Sequence, residues 1–176
     1  MNYSKRAIID AAFELFQELG YEETTVKKIS EKADVAYGTV YFHFPSGKDG
    51  VLNEISKLIT GEFYQIIDQE LVLENVEDVY RTTYDQLLQC LKIVEENKRI
   101  MQVIWEAKGK SEMVYQNLLT LEKKFIHRVA KYIIENRKKG IGKPTNPMLA
   151  SKALMHMAWG FIWDYTFDDT LSAEDI

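Results

Sequence analysis

Apolar residues recur at three- and four-residue spacing along almost the whole of this 176-residue chain, and only three prolines and nine glycines interrupt them. That period gathers apolar side chains on one face of a helix, whereas a half-buried strand needs strict alternation, which is nowhere sustained. The spacing predicts an all-α fold. Ile8, Ala11, Ala12, Leu15, Phe16 and Leu19 make one stripe from Ser4 to Leu19, and Gly20 ends it as a left-handed cap. Thr25 caps a short second helix to about Lys32, with Val26, Ile29 and Ala33 facing inward. After the turn Asp34-Val35-Ala36, a helix of two turns runs from Tyr37 to about Phe44, and Pro45-Ser46-Gly47 breaks the chain. From Lys48 onward the segments are longer. Stripes run from Val51 to Ile67, Val76 to Val94, Ile100 to Glu106 and Ser111 to about Lys139, and Asn146-Pro147 opens a last helix to about Phe167. The contrast sets a domain of three short helices over 1–47 against a larger helical domain over 48–176.

Composition narrows the class. Hydrophobic residues at 46% and charged residues at 28% describe a globular chain rather than a disordered one. The single cysteine, Cys90, can form no internal disulfide and suits a reducing compartment. No run approaches about 18 consecutive apolar residues, and Met1-Asn2-Tyr3-Ser4-Lys5-Arg6 is not an apolar signal core, so a cytoplasmic protein without membrane contact is expected. A net charge of −5 argues against coating nucleic acid through a broad positive field, but leaves room for a local reading element.

Two short helices joined by a turn, with small Ala33 at the crossing and apolar Val35 in the turn, satisfy the requirements of a helix-turn-helix. On the third helix, about 100° per residue puts Val40 and Phe44 on the buried side. Thr39 and His43 then lie on one flank, Tyr37 and Tyr41 on the other, and Gly38 and Phe42 outward. Hydroxyls and imidazole there can donate to phosphate oxygens, Gly38 permits close backbone approach, and aromatic edges can meet a thymine methyl. Lys27, Lys28 and Lys48 add point charges, Lys48 at a helix start where free N–H groups also favour phosphate. The same residues also fit plain three-helix packing with a partly exposed aromatic face and ordinary surface lysines.

The run Thr24-Thr25-Val26-Lys27-Lys28-Ile29-Ser30, then Ala33 through Pro45-Ser46, then Lys48, resembles the N-terminal domain of TetR-family transcriptional regulators over residues 4 to 55. The resemblance implies phosphate contacts by Thr25, Thr39, Tyr41, His43 and Lys48, with Lys27, Tyr37 and Gly38 nearest the bases. It also implies a homodimer on palindrome-like double-stranded operator DNA, and repression rather than activation. Three positions depart from the family pattern. Asp34 replaces a glycine, Ala36 replaces a capping Ser or Thr worth roughly 1 kcal/mol, and Gly47 adds a residue before Lys48. Residues 1–48 hold 6 basic and 7 acidic side chains, a net charge of −1, so binding must rest on shape and specific contacts.

Beyond residue 55 the resemblance lies in helix order and length. It implies an effector pocket among the middle helices and a dimer interface made by the last. Phe63, Tyr84, Leu88, Met101, Trp105, Tyr115, Phe125, Met155 and Trp159 are large adaptable side chains on separate helices that could converge on a small, largely apolar molecule, or simply fill the core. Ala150, Ala153, Leu154, Met157, Ala158, Phe161, Ile162 and Tyr165 make the last helix more apolar than one buried face needs, so one face can serve the subunit and another its partner; a single wrapped core helix is the alternative. Effector binding is expected to tilt the helix that begins at Lys48 and change the separation of the two reading helices.

Catalytic groups are scarce. His43, His127 and His156 lie far apart, Cys90 sits on an apolar stripe, and there is no glycine-rich phosphate loop, so neither an enzyme nor a bound cofactor is expected. The acidic end, Asp164, Asp168, Asp169, Glu174 and Asp175, reads as a solvated helix end rather than a metal site. Ser172-Ala173-Glu174 reads as the start of a further helix where the sequence stops. The competing reading is a helical binding or scaffold module without DNA contact. It leaves Tyr37 to His43 and Lys48 without a purpose.

Overall fold

Eight helices and no strands make up the described part of the computed structural model, which covers residues 3–70, 73–143, 145–168 and 170. The helices are α1 (Tyr3–Glu23), α2 (Val26–Lys32), α3 (Tyr37–His43), α4 (Lys48–Ile67), α5 (Val76–Glu96), α6 (Lys98–Lys108), α7 (Glu112–Lys138) and α8 (Pro147–Phe167). They fall close to the ranges expected from periodicity. The main difference is in α1, which continues for three residues past Gly20, where the backbone is left-handed at φ 78° and the helix kinks. Caps act as the sequence indicates. Thr25 accepts from the Lys28 amide at 3.2 Å, Asn146 accepts from the Leu149 amide at 3.0 Å, and Ala36 supplies no side-chain cap to α3. Asp34 takes the left-handed turn position at φ 51°.

The chain forms two compact units. The first comprises residues 1–60 and 97–118, so α6 and the start of α7 join the short helices; the second comprises 61–96 and 119–176. Within the first, Ile8, Phe16, Ile29, Val40, Leu52, Ile55, Ile100 and Ile104 are all at most 2% exposed, and α6 packs along α1. Thr24, also fully buried, donates to the carbonyls of Gly20 at 2.7 Å and Leu15 at 3.2 Å, which satisfies groups that the kink leaves free. Within the second unit, α5 lies on α8, and Leu91, Val94, Met155, Ile162 and Tyr165 are buried. Arg128 closes the end of α4 by donating to the carbonyls of Ile67 and Gln69 at 3.2 and 3.0 Å, and the Tyr132 hydroxyl adds a bond to Gln69 at 2.7 Å.

No described helix is long and apolar enough to cross a membrane. Among the described residues no group of three or more His, Cys, Asp or Glu could hold a metal ion. Asp169, Glu174 and Asp175, and the expected helix start at Ser172-Ala173-Glu174, lie outside the described residues.

Gly47, the residue inserted before α4, is buried at φ 60°, and a β-carbon there would stand 3.2 Å from Val26 Cγ2 and 3.3 Å from Tyr41 Cε1. It locks α2, α3 and the start of α4 together at a spacing that only glycine permits. Gly47→Ala is expected to cost about 1 to 2 kcal/mol from backbone strain and crowding, measured as a lower urea midpoint with an unchanged slope.

Candidate nucleic-acid interface

Val40 within α3 and Phe44 just past its end anchor the helix in the first unit, with 0% and 5% exposure. What remains outward is free of formal charge. Tyr37, Gly38, Tyr41 and Phe42 are exposed, and Thr39 and His43 are half-buried on one flank. The Tyr37 and Tyr41 hydroxyls approach to 3.4 Å with ring centroids 5.3 Å apart, so the two phenols form one hydrogen-bonding edge. The Tyr37 hydroxyl beside it, helped by partial desolvation, lifts Tyr41 above the ordinary phenol range, and Tyr41 stays protonated as a donor at neutral pH. Phe42 and His43 pack nearly perpendicular at 5.1 Å.

The basic side chains around this surface differ in how committed they are. Lys27 is exposed, and among the described residues it is paired loosely, with Glu31 at 3.9 Å. Lys28 donates to the Glu23 carbonyl at 2.8 Å. Lys32 is held by Glu14 at 2.8 Å and Glu18 at 3.6 Å, and Lys5 by Glu54 at 2.8 Å. Lys48 donates to the carbonyls of Tyr21 and Glu22 at 2.8 and 3.3 Å, with its ammonium 4.3 Å from the centre of the Tyr21 ring. The structure therefore places Lys48 on the end of α1. Of the eight residues singled out from sequence, Tyr37, Gly38, Thr39, Tyr41 and His43 share α3, Thr25 and Lys27 open α2, and Lys48 opens α4. Phe42, which the sequence turned outward but did not mark as a contact, sits in the middle of the outward face; its burial-free position opposite Val40 and Phe44 was the available signal.

A second cluster binds the end of α1 to its neighbours. The Tyr21 hydroxyl donates to Asp49 at 2.6 Å, the Tyr21 amide donates to Glu106 at 3.4 Å, and Lys110 bridges Glu106 at 3.1 Å to Glu22. Desolvation first, and then the bond to Asp49, push the Tyr21 phenol well above its ordinary value. The hydrogen bond with Lys110 holds Glu22 below the usual carboxylate range and Lys110 above the usual ammonium value. Arg99 adds a bond from α6 to the Gln17 carbonyl at 2.9 Å.

The side chains suggested for an effector divide between the units. Met101, buried, Trp105, half-buried beneath the Lys108 ammonium at 4.8 Å, and exposed Tyr115 belong to the first. Phe63, Tyr84, Leu88, Phe125, Met155 and Trp159 belong to the second, where α5 brings Tyr84 and Leu88 beside the helix that carries Met155 and Trp159. On α8, Ala153, Leu154 and Met157 are exposed, Ala150, Ala158 and Phe161 are half-buried, and Ile162 and Tyr165 are buried in their own chain. The last two therefore serve the core. Gly160, a small residue that lets another helix approach, is exposed with Leu149, Trp163 and Phe167; the last three were not singled out, because which side of so apolar a helix faces out is known only once its buried side is. Cys90 is half-buried, and loss of solvation pushes its thiol up to about 12, so it is no nucleophile at neutral pH.

Three short helices, the second and third joined by a tight turn, have the arrangement of a helix-turn-helix. Residues 8–55 match the family model described as bacterial regulatory proteins, tetR family. Over 164 residues the chain is 25% identical to the HTH-type transcriptional regulator YhgD of Bacillus subtilis, covering 92% of this chain and 83% of that one. The crystal structure of NalD, the secondary repressor of the MexAB-OprM multidrug efflux pump in Pseudomonas aeruginosa, superimposes with a TM-score of 0.78 at 24% identity over 98% of this chain and 88% of that one. A SmeT–triclosan complex does so with a TM-score of 0.73 at 19% identity, covering 98% and 85%. Residues 8–55 thus match the N-terminal domain of the tetR family, and over most of its length the chain is similar to HTH-type transcriptional regulators and shares the fold of TetR-family regulators.

A methyl group at Gly38 meets nothing within 4 Å, so Gly38→Ala is expected to keep or raise stability by about 0.5 to 1 kcal/mol, as Gly to Ala in a helix does. Paired melting and DNA-binding titrations should show binding at least about tenfold weaker all the same, since an added methyl holds the backbone away from the duplex.

Proposed function

We propose that this chain is a repressor whose homodimer places two copies of α3 in successive major grooves, about 34 to 36 Å apart, of a palindrome-like operator, and leaves it when a small, largely apolar effector binds. The observation that carries the reading is the outward face of α3. Tyr37, Gly38, Tyr41 and Phe42 there offer hydroxyl, backbone and apolar contacts that a solvated helix does not need. Thr25, Thr39, Tyr41 and His43 contact phosphates; Lys27, Tyr37 and Gly38 lie nearest the bases. Lys48 fixes α1 to the start of α4 with two of its three ammonium donors and has the third left for a phosphate. Residues 1–47 form the reading domain and 48–176 the effector and dimer domain of a cytoplasmic regulator.

Dimerisation through α8 is supported by an apolar face with Met157 at 70% and Leu149 at 67% exposure, joined by Ala153, Gly160 and Phe167. A partner helix can approach closely over alanine and glycine. Met157→Lys is expected to leave helicity intact while sedimentation shifts from dimer to monomer, and operator affinity should fall at least about a hundredfold because each half-site then binds alone. Effector binding is supported by the fold shared with the triclosan-bound protein, and the aromatic and methionine side chains of the second unit are the lining we assign. By linkage the effector and the operator must weaken each other's binding equally.

Selection of bound duplexes from a random pool tests the DNA reading directly, and an inverted repeat is the expected product. On that operator Lys27→Ala should relax the sequence preference at one base position of each half-site and weaken binding there by about 1 to 3 kcal/mol, with little effect on melting. A folded dimer that enriches no sequence would support the non-DNA binding module instead.

A further inference from the structure

We propose that Phe42 is a specificity-determining residue that reads the 5-methyl group of a thymine in each half-site. The proposal rests on the DNA-reading function above and names the chemistry of its centre. Phe42 is 80% exposed, and among the described apolar side chains only Tyr3, at 89%, exceeds it. It contributes nothing to the core, which Val40 and Phe44 serve from the opposite side of the same helix. Phenylalanine is also a poorer helix former than alanine or leucine, so local propensity does not account for it.

Its surroundings specify what it can meet. One turn before it, Gly38 carries no side chain and has open space around its α-carbon. No Phe42 atom comes within 4 Å of where a Gly38 β-carbon would stand, so the ring projects outward beside an open backbone. The His43 ring stands nearly perpendicular to it at 5.1 Å and limits its rotation. The donors flank it, with the Tyr37 and Tyr41 hydroxyls on one side and Thr39 and His43 on the other. When those donors hold phosphates, the outward centre of the helix faces the groove floor. The apolar group displayed there is the thymine methyl, since the other base edges present hydrogen-bond donors and acceptors. A phenyl ring can satisfy none of the latter, so it also penalises a base whose polar edge it covers. With the domain carrying a net charge of −1 over residues 1–48, little general attraction to phosphate is available to mask this preference.

The test uses the full-length protein and the duplex that selection recovers for it. Each thymine of one half-site, together with its symmetry mate, is replaced by deoxyuridine, which removes the methyl and keeps the O4 acceptor. Burial of one methyl corresponds to about fourfold in affinity, and two half-sites multiply this to about fifteenfold. Wild-type protein is expected to lose about that much at one or two symmetric positions. Phe42→Ala, with unchanged melting, should bind the thymine and deoxyuridine duplexes within about twofold of each other. Equal penalties in both proteins, no penalty in wild type, or an operator with no thymine under α3 would overturn the assignment while leaving sequence-specific binding in place. Failure of the folded wild type to enrich any duplex would instead overturn the DNA-reading function, and the role of Phe42 with it.

Discussion

The left-handed break at Gly20 exposes the last carbonyls of α1, and the position of the reading helix depends on which groups capture them. Thr24 takes those of Leu15 and Gly20, and Lys48 takes those of Tyr21 and Glu22. Each bond exchanges water for a fixed partner and contributes only about 1 kcal/mol, but leaving such carbonyls buried and unpaired would cost more. Lys48 is the first residue of α4, so the end of one helix fixes the start of another. Asp49 extends the junction to the Tyr21 hydroxyl, and Glu106 with Lys110 extends it to α6. Between α1 and α4 lie only α2, α3 and three short connections, and Gly47 lets Tyr41 pack close to the last of them. The orientation of α3 follows from this junction rather than from its own two turns, which are too short to be stable in isolation.

Much of that was legible. Periodicity located all the helices because each buries a single face, and caps such as Thr25 and Asn146 mark their starts through local hydrogen bonds that sequence alone encodes. The placing of Tyr37, Thr39, Tyr41 and His43 around Val40 also follows from helical geometry. The engagement of Lys48 with α1 could not be read, because it joins residues 26 and 27 positions apart through backbone carbonyls, which carry no sequence signature. The same holds for Glu106, which reaches the Tyr21 amide across 85 positions. A lysine that looks like a phosphate ligand in one dimension is here a structural cap on the end of α1.

The second half illustrates a different limit. The mean composition of α8 shows that it has more apolar surface than one core needs, but which residues face outward depends on the rotation of the helix, fixed by contacts with α5. Ile162 and Tyr165 turn inward with Met155, while Leu149, Gly160 and Phe167 turn out with Met157. An error of about 180° in rotation exchanges those sets without changing any spacing. Fully apolar helices hide their orientation in this way, whereas the strongly amphipathic α5 and α6 declare theirs.

The commitment of most lysines near α3 to carboxylates and carbonyls has a consequence for how such a protein would behave among chromosomal DNA. Non-specific affinity grows with the number of uncommitted cations, and a genome offers on the order of a million or more competing sites. A reading domain with few free charges is titrated away by those decoys far less than a basic one. A small number of copies per cell can then keep an operator occupied, and a small amount of effector suffices to empty it.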